Sequence, residues 1–167
     1  MTHKSLSACP MVNSTTDLSP SGRFEAGVHR FPVRVYFEDT DFTGVVYHAN
    51  YLRYMERARS DMLRVSRIDQ RAAFEAGEGA YAVASLSIRY NQPARLDDDL
   101  IVLSRIAEIR AASIIIHQRV MRDAVQVAGA EVHVAFVARD GRPRRQPTGW
   151  VETFRKIAGD QEADGWS

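Results

Sequence analysis

The chain has 167 residues, 45% of them hydrophobic and 26% charged, which suits one domain with its own buried core. Its 22 Lys and Arg against 21 Asp and Glu give a net charge of +1, so the whole chain carries no basic footprint for nucleic acid. The single cysteine, Cys9, excludes an internal disulfide framework and a Cys-rich zinc site. No apolar run approaches the roughly 18 residues of a membrane span.

In chain order, residues 1–30 read as a flexible extension that opens on a Ser- and Thr-rich stretch without helical or strand period. The apolar patch at 6–12 is broken by Ser7 and Pro10 and is too weak for a signal peptide, so a cytoplasmic protein is expected. Residues 31–37, FPVRVYF, are β-branched and aromatic, and Pro32 suits an edge strand. A loop, EDTDFTGVVYHA, follows, and Asn50 is placed to cap a long helix over 51–67. Leu52, Met55, Ala58 or Arg59, Met62 and Leu63 recur at three- and four-residue steps along its buried face. A short helix over 69–76 should stop at Gly77 and Gly79.

Strand patterns then cover 81–91, 99–108, 112–122 and 125–138. The breaks between them are short, which implies antiparallel neighbours, because parallel ones need a crossover of about a dozen residues. His117 and His133 fall in these alternating runs and read as sheet residues rather than metal ligands. A short helix over 148–158 with Trp150, Phe154 and Ile157 on one side closes the domain, and 159–167 reads as a loose tail. The expected architecture over 31–158 is α+β: about five antiparallel strands covered by one long helix.

The chemistry is densest between the first strand and the long helix. Glu38, Asp39, Asp41 and His48 fall within one loop, together with Gly44, Tyr47 and Asn50. Two readings stand side by side. Asp39 and Asp41 can be turn residues with local backbone bonds. Alternatively, Asp41 can attack an electrophile or take a proton from water. Gly44 lets the backbone bend, and the unpaired N–H groups at a helix start can hold negative charge growing on a carbonyl oxygen. A carboxylate, His48 and that helix start would together make an acyl-transfer site.

The stretch VRVYFEDTDFTGVVYHANYLRYMERARSDML resembles the hotdog-fold acyl-CoA thioesterases. The nearest branch is the one associated with the Tol-Pal cell-envelope system, related to the 4-hydroxybenzoyl-CoA thioesterases. Further similarity lies in SIRYNQPARLDDDL, IAEIRAASIIIHQRV and GRPRRQP, so the resemblance covers roughly residues 31–147. It implies an antiparallel sheet wrapped around one long helix, and homodimers or homotetramers with active sites at subunit contacts.

Carried over by that resemblance, Asp41 is the catalytic carboxylate, as nucleophile or as general base on water, and His48 helps to polarise the thioester carbonyl. Gly44 and Tyr47 shape the pocket, with Tyr51 beside them. Glu56 is structural and should pair with Arg59 or Arg53. The phosphates of coenzyme A call for basic side chains. Arg142, Arg144 and Arg145 form the best cluster, with Arg110 and Ser113 next. No metal or redox cofactor is required, and acyl-carrier protein or Tol-Pal components are conceivable partners.

Two rivals remain. A hotdog domain can bind acyl-CoA or acyl-carrier protein without catalysis. Residues 39–43 also fit D-x-D-x-T, the signature of haloacid dehalogenase-type phosphatases, with Asp39 as nucleophile, Asp41 as acid/base, Mg²⁺ as cofactor and Asp97, Asp98 and Asp99 as distant ligands. That family needs a parallel sheet, which the short strand connections argue against.

Overall fold

The structure, a computed structural model, describes residues 19–160 and Trp166. Six strands form one antiparallel sheet: β1 (Arg23–Glu25), β2 (Val28–Arg34), β3 (Ala80–Tyr90), β4 (Asp99–Ile109), β5 (Ser113–Arg122) and β6 (Val125–Val137). Their spatial order is β1-β2-β4-β5-β6-β3. Three helices join them: α1 (His48–Val65), α2 (Gln70–Glu75) and α3 (Thr148–Gly159).

The period-two pattern drives the sheet. Leu100, Val102, Ser104 and Ile106 of β4 are buried, as are Ile114, Ile116, Gln118 and Val120 of β5, while their alternates face away. α1 lays Tyr51, Tyr54, Met55 and Ala58 on Val33, Val102, Val120 and Ala128. Its second half joins a further cluster in which Met62 meets Ile106, Ile116, Val134 and Phe154 of α3. The inward face is therefore covered by two helices, not by α1 alone.

Four expectations change. The sheet begins at Arg23, so residues 23–30 are ordered strand and turn rather than extension. Ala26 and Gly27 turn the chain with φ of 46° and 71°, the left-handed pair that closes a tight hairpin. The polar residues of this hairpin hide its strand character, because the buried one is His29. The strand expected over 31–37 ends at Arg34 and gives way to a 3-10 turn over Phe37–Asp39. The residue at the cap of α1 is Tyr47, whose side chain caps nothing, and Asn50 sits inside the first turn. Of the loose ends, residues 1–18, 161–165 and 167 lie outside the described residues, while the Arg119 guanidinium stands 4.6 Å from the Trp166 ring centre.

His29 and Asp61 join the hairpin to α1. Both are almost sealed, at 0% and 2% exposure. His29 Nε2 lies 2.9 Å from Asp61 Oδ2, which also accepts the Gly22 N–H at 2.8 Å, and Ser21 Oγ donates to Asp61 Oδ1 at 2.8 Å. A Cβ on Gly22 would lie 2.5 Å from the Arg30 carbonyl oxygen, so only glycine fits. Burial holds the His29 imidazole neutral, below its ordinary value, although Asp61 works the other way. Burial works to raise the Asp61 carboxyl, and the Gly22, Ser21 and His29 donors outweigh it and hold it low.

Both shifts carry the same sign for stability. The unfolded chain takes up a proton on histidine below about pH 6.5, and on the carboxylate below about pH 4, before the folded chain does. Melting temperature should therefore fall as pH drops from about 6.5 and more steeply through the carboxylate range. Asp61→Asn should cost about 3 kcal/mol at neutral pH and flatten that steeper part, read by thermal melts across pH.

Candidate active site

The loop between β2 and α1 is built from backbone bonds. The Asp41 N–H donates to the Val45 carbonyl at 2.9 Å and Gly44 N–H returns to the Asp41 carbonyl at 3.0 Å. Gly44 has φ +77°, with nothing within 4 Å of a would-be Cβ, so glycine is there for its conformation and not for space. Thr40 bridges to Val46, and Val45 and Val46 are held in turn by Arg95 and Ala94 of the β3–β4 connection.

Within this turn Asp41 is half-buried and its Oδ1 accepts twice from Thr43, at 2.6 Å from the hydroxyl and 2.8 Å from the amide. The Thr43 hydroxyl, then its N–H and that of Val45, hold the Asp41 carboxyl below its ordinary value. The turn reading and the chemical reading thus meet in one residue: the contacts that make Asp41 a turn former also keep it ionised. The thioesterase resemblance assigns Thr43 no role. Its signal was the two-residue spacing Asp-x-Thr, at which a side-chain carboxylate caps the backbone two residues on.

Asp39 behaves differently. It is 6% exposed, and its Oδ2 accepts the Tyr36 N–H at 2.8 Å. Its carbonyl accepts the Tyr47 N–H and the Asn50 Nδ2, both at 2.9 Å. Beneath it lies Tyr54, fully buried, whose hydroxyl is pushed well above the ordinary range by burial and by the Asp39 charge.

His48 opens α1, and by helix geometry its amide and that of Ala49 lack intrahelical acceptors, while the Asn50 N–H donates to the Tyr47 carbonyl at 2.8 Å. Its ring lies 4.3 Å from that of Tyr47 and 6.4 Å from that of Tyr90, centre to centre, and its carbonyl accepts the Tyr90 hydroxyl at 3.1 Å. A groove of about 280 Å³ runs beside this helix start, lined by Val46, His48, Tyr51, Tyr90, Gln92 and Pro93. Tyr51 is buried, its hydroxyl accepting the Ala94 N–H at 3.0 Å. Tyr47 stands exposed at the rim, and Asp41 lies outside the lining, one hairpin away through Val45 and Val46.

The expected basic residues are elsewhere in the chain. Arg142, Arg144 and Arg145 follow β6, whose Val137 pairs with Ala80 at the start of β3, whereas Tyr90 at the end of β3 touches His48. Ten residues of strand separate the two ends, about 33 Å. Arg144 Nη1 donates to the Gly77 carbonyl at 3.0 Å, Arg142 lies 3.7 Å from Asp140, and Arg145 is exposed. Arg110 is held at 2.8 Å twice by Glu108, and Ser113 is buried with its carbonyl on Gln146. One chain therefore brings together Asp41, Gly44, Tyr47, His48 and Tyr51, and leaves the arginines and Ser113 at the opposite end. Glu56 pairs with Arg59, as the helix spacing suggested.

Residues 35–157 match the family model described as the thioesterase-like superfamily. The chain belongs to this superfamily. Over 107 residues it is 46% identical to the acyl-CoA thioesterase YbgC of Haemophilus influenzae, covering 64% of this chain and 79% of that protein. Over 130 residues it is 40% identical to the acyl-CoA thioester hydrolase YbgC of Escherichia coli, covering 76% of this chain and 96% of that one. Among solved structures, a thioesterase of Thermus thermophilus complexed with coenzyme A and Zn superposes with a TM-score of 0.68 at 28% identity, over 80% of this chain and 95% of that one.

Membership in the thioesterase-like superfamily and a wholly antiparallel sheet remove the phosphatase reading, which needed parallel strands. The Asp97–Asp99 run is otherwise engaged: Asp98 holds Arg122 at 2.8 Å and Asp99 holds Arg34 at 2.9 Å. Among the described residues no group of three or more His, Cys, Asp or Glu is arranged to hold a metal ion.

The Thr43 contact is open to test. Thr43→Ala removes the hydroxyl donor and leaves the amide, so the Asp41 carboxyl should rise toward the ordinary value of about 3.9. Titration of the Asp41 carboxyl followed by NMR, in wild type and Thr43→Ala, reads this shift directly.

Proposed function

We propose that the chain hydrolyses acyl-CoA thioesters to a carboxylic acid and free coenzyme A, with Asp41 and His48 as its catalytic groups. The observation that carries this reading is the placement of an ionised carboxylate one hairpin away from the free amides of a long helix, beside an aromatic groove. The YbgC relatives support the reaction class. The groove, with Tyr47 at its rim and Tyr51 in its wall, is suited to seat the acyl group.

In this reaction the thioester carbonyl lies at the start of α1. The first-turn amides, His48 among them, donate to its oxygen as charge builds there. Asp41 either attacks the carbonyl carbon or takes a proton from the water that does so. The C–S bond then breaks and the thiolate of coenzyme A leaves, taking up a proton; where Asp41 is the nucleophile this leaves the acyl group on Asp41 as a mixed anhydride, which water hydrolyses to release the acid. Water is the only co-reactant. A cytoplasmic location accompanies this reading, since coenzyme A thioesters are made and used there. A purely binding role has no use for a carboxylate held ionised at the edge of the groove.

The separated arginines point to a partner chain. β3 is an edge strand of eleven residues, with Val83 and Tyr90 exposed along it. Such an edge calls for cover. Antiparallel pairing of two β3 strands would bring the start of one beside the end of the other. Arg142, Arg144 and Arg145 of one copy would then face the groove of its partner, where the phosphates of coenzyme A leave it. On this reading the chain works as a homodimer, and a tetramer would form through other surfaces.

Asp41→Asn should lower kcat by about 100-fold or more while the fold is retained, and His48→Ala should cost less if its backbone amide is the main donor. A thiol-trapping assay over a panel of acyl-CoA esters measures both. The shared site has its own signature. An Asp41→Asn chain mixed with a chain lacking all three arginines should recover activity on exchange of subunits, because one of the two sites in the mixed dimer is intact. Mixtures that stay as inactive as their parents would reject the shared arrangement.

A further inference from the structure

Hydrolysis as proposed requires the Asp41 turn and the first turn of α1 to address the same carbonyl group. They belong to different local structures. Asp41 sits in a turn closed by its own backbone bonds with Val45 and Gly44. His48 sits on a helix whose position is set by packing of Tyr51, Tyr54 and Met55 on the sheet. Between them runs a short segment, bridged at Thr40 and Val46, and the end of that bridge nearest the helix is the carbonyl oxygen of Asp39. That oxygen accepts the Tyr47 N–H and the Asn50 side-chain amide, both at 2.9 Å. The Asn50 N–H meanwhile donates to the Tyr47 carbonyl at 2.8 Å. Asn50 is 6% exposed and its side chain spans eleven residues of sequence. Its amide ties α1 to the start of the loop from a side chain, and the Tyr47 tie is backbone.

We infer that Asn50 is a positioning residue for the hydrolysis, fixing the Asp41 turn relative to the helix start through its amide on the Asp39 carbonyl. It touches no reacting atom. The inference rests on the proposed thioesterase reading and adds to it a residue that the family resemblance did not supply. In the sequence Asn50 was a candidate helix cap, a role that would end at the helix. The structure instead directs it away from its own helix, onto the loop that carries Asp41.

The chemistry of the site makes this distinguishable from a role in stability alone. Asn50 lies in the first turn of α1, where a carboxylate interacts favourably with the helix dipole. Asn50→Asp therefore keeps size and helix compatibility, yet it loses the N–H donor and turns an oxygen toward the Asp39 carbonyl. Asn50→Gln keeps the donor on a longer stem. Displacement of a reacting group by a fraction of an ångström to 1 Å is enough to cost about 10- to 100-fold in rate.

The test is steady-state hydrolysis of one acyl-CoA ester by the full chain, with wild type and Asp41→Asn as references. All variants are assayed well below their melting temperatures. Asn50→Ala and Asn50→Asp should each lower kcat by about 10-fold or more with KM within about twofold, and Asn50→Gln should recover part of the loss. Exchange of the Tyr47 amide should quicken in Asn50→Ala, while that of Val46, bonded to Ala94, stays slow. Wild-type kcat in Asn50→Asp, or a loss confined to KM, overturns the positioning role while the thioesterase reading stands. A wild-type chain that releases no thiol, or an Asp41→Asn chain as active as wild type, overturns the hydrolytic reading and this inference with it.

Discussion

The carbonyl oxygen of Asp39 is the joint on which this architecture turns. It takes two N–H donors, one from the end of the loop and one from the first turn of α1, in a setting that is almost closed to water. In such surroundings a hydrogen bond is stronger and an unmade one costs more, so the pair defines a geometry instead of merely permitting it. Everything specific to the site lies on either side of this oxygen: the Asp41 turn upstream, the helix amides and the tyrosine-lined groove downstream.

The same logic extends along α1. Apolar contact is non-directional and would tolerate small slides or rotations of the helix over the sheet. Three buried polar residues of α1 remove that freedom. Asn50 reaches back to the loop, Arg59 donates to Gln118 of β5 at 2.6 Å, and Asp61 takes donors from Ser21, Gly22 and His29 of the N-terminal hairpin. Gln118 is itself bound to Ser104 of β4 and to the Met55 carbonyl, so the Arg59 contact spans two strands. The helix is fastened at its start, its middle and its last turns, each time to a different part of the chain.

These polar residues also mark where sequence reading succeeds and where it stops. Strands β3 to β6 and all three helices were legible to within a few residues, because alternation and three-to-four spacing are imprinted directly by burial. The β1–β2 hairpin was legible only from Phe31 onward, since the side chain buried in its earlier part is a histidine whose partner carboxylate is 32 positions away. The helix start was misplaced because Asn50 looks locally like a cap, and only the folded loop supplies its acceptor. Asp41 and His48 were visible through a motif. The Thr43 contact was in principle visible through turn spacing. The spatial separation of the arginines was not, because it depends on β3 crossing to the far side of β6.

That crossing decides what one chain can and cannot do. Had β3 paired with β2 or β4, it would lie inside the sheet and the helix start would face its own chain. Placed last in the order, β3 leaves a long edge open along the side of the molecule that carries the groove, with Tyr90 at one end of it and Tyr81 at the other. The two ends differ in chemistry. At the Tyr90 end stand His48 and the helix start; beyond the Tyr81 end, through Val137, lie the arginines that follow β6. An antiparallel neighbour at this edge sets the end of one β3 beside the start of the other, whereas a parallel one would set like ends side by side. Strand order thus fixes which surfaces a second copy pairing along β3 would bring to the groove, and under the proposed assembly these are the arginines that follow β6.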